Sequence, residues 1–319
     1  MKRRLKKPDE KIELTPLGSK PEEVHVFDDD TIWALNAALA ARRPLLIRGE
    51  PGVGKTQIAR AAAAKEMLNC PLIPFVVDSN TESRDLLWTF DAVQRLAEAQ
   101  ILRTLDESTL RQRLAPENYF HPGPLWWAFN WEAAETQAKK VGDTIPTRPT
   151  GWKAGDGCVV LIDEIDKAES DVPNGLLEAL GAGNFQPRGM QSTVDTVGEP
   201  PLVIITTNEE RVLPDAFLRR CLVLDLSLPT GSVELKTLLM ERGKSHFEGL
   251  TNDDVLSAGA ELLITDRFAV KSTPRPGQAE YLDLIRAVVE LCPKKAFKKQ
   301  SETLARVAKF VLKKHSTGQ

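Results

Sequence analysis

The sequence predicts an α/β protein with a parallel sheet covered by helices, followed by a smaller all-helical domain, and three observations carry that prediction. Short apolar runs at residues 44–47, 72–77, 159–162, 202–206 and 221–226 lack the strict alternation of a half-exposed strand, as buried parallel strands do. The first of them leads through a glycine-rich octapeptide into the Ala-rich run 57–65, a strand-loop-helix signature. After Pro229 only helical patterns remain.

Taken in order, residues 1–29 read as a flexible basic tail that becomes ordered near 24–27. A helix follows, capped by Asp28, Asp29 and Asp30, with Ile32, Leu35, Ala38 and Leu39 at helical spacing. The strand at 44–47, its loop and its helix come next, then the strand at 72–77. The stretch 91–157 reads as an insertion of helical propensity in which Phe120, Trp126, Trp127, Phe129 and Trp131 cluster, a pattern that favours packing within the insert over an exposed gripping surface. The remaining strands of a five-stranded parallel sheet are centred on Leu161, Ile204 and residues 221–226. Helices are expected at 233–247, 252–264, 277–291 and 302–314, with one long break at 266–276. The division is therefore a tail (1–29), a core (30–228) and a helical lid (229–319).

The octapeptide is GEPGVGKT, Gly49, Glu50, Pro51, Gly52, Val53, Gly54, Lys55 and Thr56, with Gln57 next on the helix. Glycines at these spacings let backbone N–H groups fold inward around a polyphosphate, and the helix beginning near Lys55 aims its positive end at the same anion. Lys55 is placed to reach the β- and γ-phosphates, and Thr56 to set its hydroxyl on Mg²⁺. The run CVVLIDEIDK ends a buried strand in Asp163 and Glu164. Burying two unpaired carboxylates is expensive, and a divalent cation supplies the reason. Asp163 can hold the ion, indirectly or through water, and Glu164 is placed to orient and deprotonate the attacking water. A third apolar run leads through Thr207 to Asn208, an amide able to position that water or sense a γ-phosphate.

GEPGVGKT, VVLIDEIDKA, IITTN, LPDAFLRRC and STPRPGQAEYL, in this order, resemble the AAA+ ATPases, and DLLWTFD, FHPGPLW and LLEALGAGNF resemble the MoxR branch, related to McrB-like and dynein-related modules. The resemblance covers roughly residues 30–290. It implies an αβα sandwich with strand order 5-1-4-3-2, ATP and Mg²⁺ as cofactors, a phosphate loop at Gly49 to Thr56, metal and base residues at Asp163 and Glu164, and a sensor at Asn208. It implies an arginine finger at Arg220, with Arg219 as the open alternative, and a second sensor at Arg275. It also implies a β-hairpin near 185–200, an insert facing a ring axis, and assembly as a homo-oligomer, a hexamer in the family. The client implied is a protein, often one with a von Willebrand A domain. Two departures from the MoxR pattern stand out: Glu209-Glu210-Arg211 replaces a Pro-containing segment after Asn208, and the interval 91–157 is long. The leading expectation is a Mg-ATP-hydrolysing ring that remodels or matures a protein partner. The alternatives are a nucleotide-dependent switch or scaffold in bacterial defence or signalling, and a DNA-directed motor or loader.

Composition bounds these readings. The 319 residues, 42% hydrophobic and 27% charged, suffice for a large core and a satellite. No apolar run has the length of a membrane span, and MKRRLKKPDEK lacks a signal-peptide apolar region, so a cytoplasmic location is expected. Cys70, Cys158, Cys221 and Cys292 show no metal or disulfide spacing. A net charge of -3 and a pI near 6.0 argue against obligatory nucleic-acid binding. The basic start (Lys2, Arg3, Arg4, Lys6, Lys7, Lys11) reads as solvated tail, and the basic stretch 294–314, with Leu304, Val307, Ala308, Val311 and Leu312, as an amphipathic helix with a wet face.

Overall fold

A computed structural model describes residues 4–9, 11–14, 23–102, 106–269, 275–292 and 296–312. The chain begins with β1 (Ile12–Leu14), β2 (Glu23–His25), α1 (Asp29–Ala41), β3 (Leu45–Gly49), α2 (Lys55–Ala63) and β4 (Leu72–Val76). The insertion contributes β5 (Trp88–Phe90), α3 (Ala92–Ile101), α4 (Glu107–Arg113), β6 (Phe120–Pro122), α5 (Pro124–Phe129) and α6 (Trp131–Val141). Then come β7 (Val159–Asp163), α7 (Asp171–Ala182), β8 (Asn184–Phe185), β9 (Val194–Asp195), β10 (Leu202–Thr207), α8 (Asp215–Leu218) and β11 (Leu222–Leu226). Among the described residues that follow, the helices are α9 (Ser232–His246), α10 (Asp253–Ala269), α11 (Gln278–Leu291) and α12 (Phe297–Val311).

Five strands form one sheet in the order β11-β3-β10-β7-β4, which is the 5-1-4-3-2 order expected of the resemblance. β7 pairs in parallel with β10 on one side and β4 on the other, Leu161 standing opposite Ile204 and Pro74. Parallel strands send their C-terminal ends to one edge, where β7 ends in Asp163 and β10 in Thr207. Both strands are buried almost throughout, the reason their sequences read as unbroken apolar runs. The expected hairpin is present as β8 paired antiparallel with β9, Phe185 opposite Val194.

The chain divides into two compact units. The first is Met1–Lys6, Asp30–Ile47 and Ala62–Leu224; its core gathers Leu46, Val160, Ile162, Val203 and Ile205 with the insertion aromatics. Phe120, Trp126, Trp127, Phe129 and Trp131 are all at most 6% exposed, so the cluster is core and none of it is free to grip a client. The apolar surface of the insertion lies instead on α3, where Val93, Leu96 and Ile101 are exposed.

The second unit is Lys7–Asp29, Arg48–Ala61 and Asp225–Gln319. Its core is helical, with Leu235, Leu239, Val255, Leu263, Tyr281, Ile285 and Leu304 buried together. Residues 12–14 and 23–25, within the stretch read as flexible tail, are the antiparallel strands β1 and β2. Glu23 of β2 forms an ion pair with Arg60, both side chains largely buried. α10 continues to Ala269, through the start of the stretch read as a break, while 270–274 lie outside the described residues. α12 buries Leu304 and Ala308 and leaves Lys298, Lys299 and Lys309 exposed, as its amphipathic pattern predicts. Among the described residues no helix is long and apolar enough to cross a membrane.

Candidate active site

The glycine-rich turn at Gly49 to Thr56, the predicted phosphate loop, belongs to the second unit. Gly52 and Gly54 have φ of +81° and +96°, values open to glycine and strained for other residues. A Cβ on Gly49 would stand 2.2 Å from Leu226 O, so β3 can leave the sheet here only as glycine. The turn is thus a cradle that side chains would fill. α2 begins at Lys55, whose side chain is only 7% exposed and whose Nζ donates to Gly49 O (2.6 Å) and Glu50 O (3.0 Å). The ammonium is therefore folded over the loop's own carbonyls. Gly52 O accepts from Ala279 N (3.1 Å), and Val53 packs on the helical core. Glu50 carries the other anchor, an ion pair with Arg267 (2.6 Å).

The carboxylates form the second assembly, in the first unit. β7 and β10 run side by side in register, so Thr206 comes beside Asp163 and Glu164. The Thr206 hydroxyl, fully buried, donates to Asp163 Oδ1 and accepts from Glu164 N (2.9 Å). Glu164 has φ +61° and ψ 47°, a left-handed conformation that costs a non-glycine residue of order 1 kcal/mol or more. Its flanks hold it there: Val77 N donates to Asp163 O (3.0 Å), and Lys167 N to Glu164 O (3.0 Å). Asn208 Nδ2 approaches Glu164 Oε1 at 3.4 Å, and Lys167 Nζ pairs with Oε2. That pairing raises the Lys167 pKa, the Glu164 hydrogen bond being the largest cause. Asp166, only 2% exposed, accepts from Asn208 N (3.2 Å) and Glu210 N (2.9 Å). The geometry brings Asp163, Glu164 and Asn208 together, and makes Glu164 the carboxylate to which the Asn208 amide points.

A family model described as the AAA domain of the dynein-related subfamily matches residues 44–221, more than half of the chain. The chain belongs to this AAA family. It is an AAA-type ATPase, with nucleotide binding and hydrolysis as the family's activity. No curated protein matches. Among solved structures, a Cytophaga hutchinsonii protein assigned as an ATPase is similar at 14% identity and a TM-score of 0.37, with 89% of this chain and 80% of that one covered. At that level it adds nothing to the family match.

In this AAA ATPase the two candidate finger residues stand at the turn between α8 and β11, and both Arg219 and Arg220 are exposed. The turn is fixed by Arg43: its Nε donates to Arg220 O (3.0 Å), and its Nη2 to Arg219 O and Cys221 O (3.1 Å). One guanidinium thus gathers three successive carbonyls and leaves both arginine side chains projecting. Arg275 is exposed in the segment before α11. Gly277 N donates to Glu280 Oε2 (3.0 Å) and closes the start of that helix, whose Ala279 reaches Gly52.

Four residues of these assemblies were not singled out by the sequence. Thr206 and Asp166 lie within the motifs IITTN and DEIDK, so a strand register drawn in advance pairs Thr206 with the carboxylates. Arg43 and Arg267 carry no local signal, their partners being as much as 178 and 217 residues away.

Proposed function

We propose that the chain is a Mg²⁺-dependent ATP hydrolase that works as a ring, hexameric as in the MoxR branch it resembles, and remodels or matures a protein partner. The observation that carries the ring is the pinned turn at Arg219 and Arg220. Two exposed guanidiniums without ion pairs among the described residues, held by Arg43 through the backbone, suit use on a neighbouring subunit's nucleotide.

The cradle at Gly49 to Thr56 suits a polyphosphate, and Lys55 exchanges its two carbonyl partners for β- and γ-phosphate oxygens. Gln57 and the loop backbone from Glu50 to Gly54 supply the remaining contacts. A magnesium ion beside a nucleotide is held jointly by one or two protein oxygens and by phosphate oxygens. Thr56 and Asp163 would hold it; bound there, magnesium neutralises charge developing on the phosphoryl oxygens. Glu164 takes the proton of the attacking water, Asn208 orients that water, Arg220 stabilises the transition state in trans, and Arg275 answers the phosphates from the helical unit. The protein client, including one of the von Willebrand A type, rests on the MoxR resemblance.

The test exploits action across a subunit boundary. Lys55→Ala and Arg220→Ala should each be nearly inactive alone. In a mixture, an Arg220→Ala subunit binds nucleotide and receives the intact arginine of a Lys55→Ala neighbour. Phosphate release should therefore partly return and should rise with total protein concentration. A mixture as inactive as its components, with co-assembly established by size exclusion, would refute the ring mechanism. Rescue of Arg219→Ala in place of Arg220→Ala would move the finger by one residue.

A further inference from the structure

Glu50 is an unexpected residue for its position. It is the second residue of a loop that, on the reading above, encloses a polyphosphate, and a carboxylate there repels the ligand. Its backbone oxygen already accepts from Lys55 Nζ (3.0 Å), so the residue sits where the phosphates are answered. Its side chain, partly exposed, is held by a partner. Arg267, on α10 and 8% exposed, donates through Nη2 to Glu50 Oε2 (2.6 Å) and through Nη1 to Pro276 O (3.0 Å). A guanidinium so buried needs both acceptors, and its charge is spent on Glu50. Two further contacts of the same unit fasten the loop to the helices, Ala279 N on Gly52 O and Val53 on the helical core.

We propose that Arg267 is a positioning residue for nucleotide binding: it neutralises the Glu50 carboxylate and ties the phosphate loop to α10, so that the loop accepts a nucleoside triphosphate. The arginine acts through Glu50 and touches no substrate. The idea rests on the assignment of residues 49–57 as the phosphate loop. It carries an asymmetry that a merely structural ion pair lacks. Removing the arginine leaves a bare negative charge beside the phosphates, whereas removing the carboxylate leaves a positive one.

Titration of the full chain with ATP and with ADP tests this. Arg267→Met should weaken ATP binding about tenfold or more, and ADP binding less, because the repulsion grows with ligand charge. Glu50→Gln should bind ATP within about threefold of wild type or more tightly. The double substitution, which removes both charges, should recover most of the loss. Unchanged binding by Arg267→Met, a double variant as weak as Arg267→Met alone, or an equal loss for ATP and ADP would each overturn the proposal. Should Arg267→Met fail to fold, Glu50→Gln decides alone, since a tenfold loss there contradicts the charge argument. Lys55→Ala in the same titration separates the two ideas. If it binds ATP as wild type does, the phosphate-loop assignment fails and takes this proposal with it. If only Lys55→Ala loses binding, the loop stands and the role of Arg267 falls.

Discussion

Glu164 is held in a conformation that its own backbone disfavours, at φ +61°, and its carboxylate meets both an amide and an ammonium. Strain of this sort persists only where neighbours impose it, and here Thr206, Asp163 and the parallel register do so. The side chain is thereby aimed while its backbone N–H is satisfied by the Thr206 hydroxyl. Glu164→Gln keeps the shape and the Asn208 contact but cannot take a proton, so nucleotide affinity should survive while turnover falls roughly 10²- to 10⁴-fold. Single-turnover hydrolysis beside a binding titration measures both, and near-normal turnover would place the base elsewhere. Asp166 acts one step back, through the backbone of Asn208 and Glu210. Asp166→Ala leaves two N–H groups without their acceptor and frees Asn208. It should lower kcat with little change in KM, and Asp166→Asn, which keeps an acceptor, should recover part of the loss. Equal losses in the two variants would argue that the charge of Asp166, and not its acceptor geometry, matters.

Elements differ in how far they could be read in advance, and the difference has a physical basis. The strands β7 and β10 were legible because burial on both faces leaves an apolar run ending abruptly in polar residues, and the strand-turn-helix of β3, the glycine-rich turn and α2 because its parts are contiguous. The antiparallel pair of β1 and β2 was not, since three-residue strands carry too little pattern and Glu23 and the adjacent Val26 are held by the distant Arg60 and Arg242. The sequence predicts a helix ending at Ile264, yet α10 continues to Ala269 and buries Arg267. A charged residue at a helix end reads as exposed unless its remote partner Glu50 is known. The turn after α8 is similar: the sequence supplies Arg219 and Arg220, while what fixes them is Arg43, just beyond α1, bonded to three carbonyls. Arg43→Ala should loosen this turn without touching the phosphate loop. Nucleotide affinity should hold, steady-state hydrolysis should fall several-fold, and the mixing rescue by an Arg43→Ala donor should shrink. A fully active donor would show that the turn keeps its shape unaided.

At the scale of the whole molecule the chain divides into two compact units, and His25 and His246, whose pKa values are lowered, both belong to the second. His25, at the end of β2 and edge-on to Phe27 (4.5 Å), has its pKa lowered to about 3 by burial first and then by Arg242, with Asp28 opposing and His246 assisting. His246, at the end of α9, is lowered to about 4 by burial and by Arg286, Arg242 and Lys11, with Glu23 opposing. Both rings are therefore neutral in the folded protein at pH 6, where an unfolded chain with histidines near 6.5 has begun to take up protons. The unfolded state binds more protons between that value and the folded pKa values, so acid favours it. This contribution to stability is complete above about pH 6.5 and is lost as the pH falls toward 4 and then 3. Its limiting slope is about 1.4 kcal/mol per histidine for each pH unit, and because both rings are only half-buried the observed slope should fall short of it. Calorimetry from pH 7.5 to 5 should show one of two transitions moving down with acid ahead of the other, because both histidines belong to the second unit. A His25→Gln, His246→Gln variant is expected to start from a different melting temperature but to lose its dependence on pH across this window. A wild-type slope retained in that variant would assign the acid sensitivity to other groups.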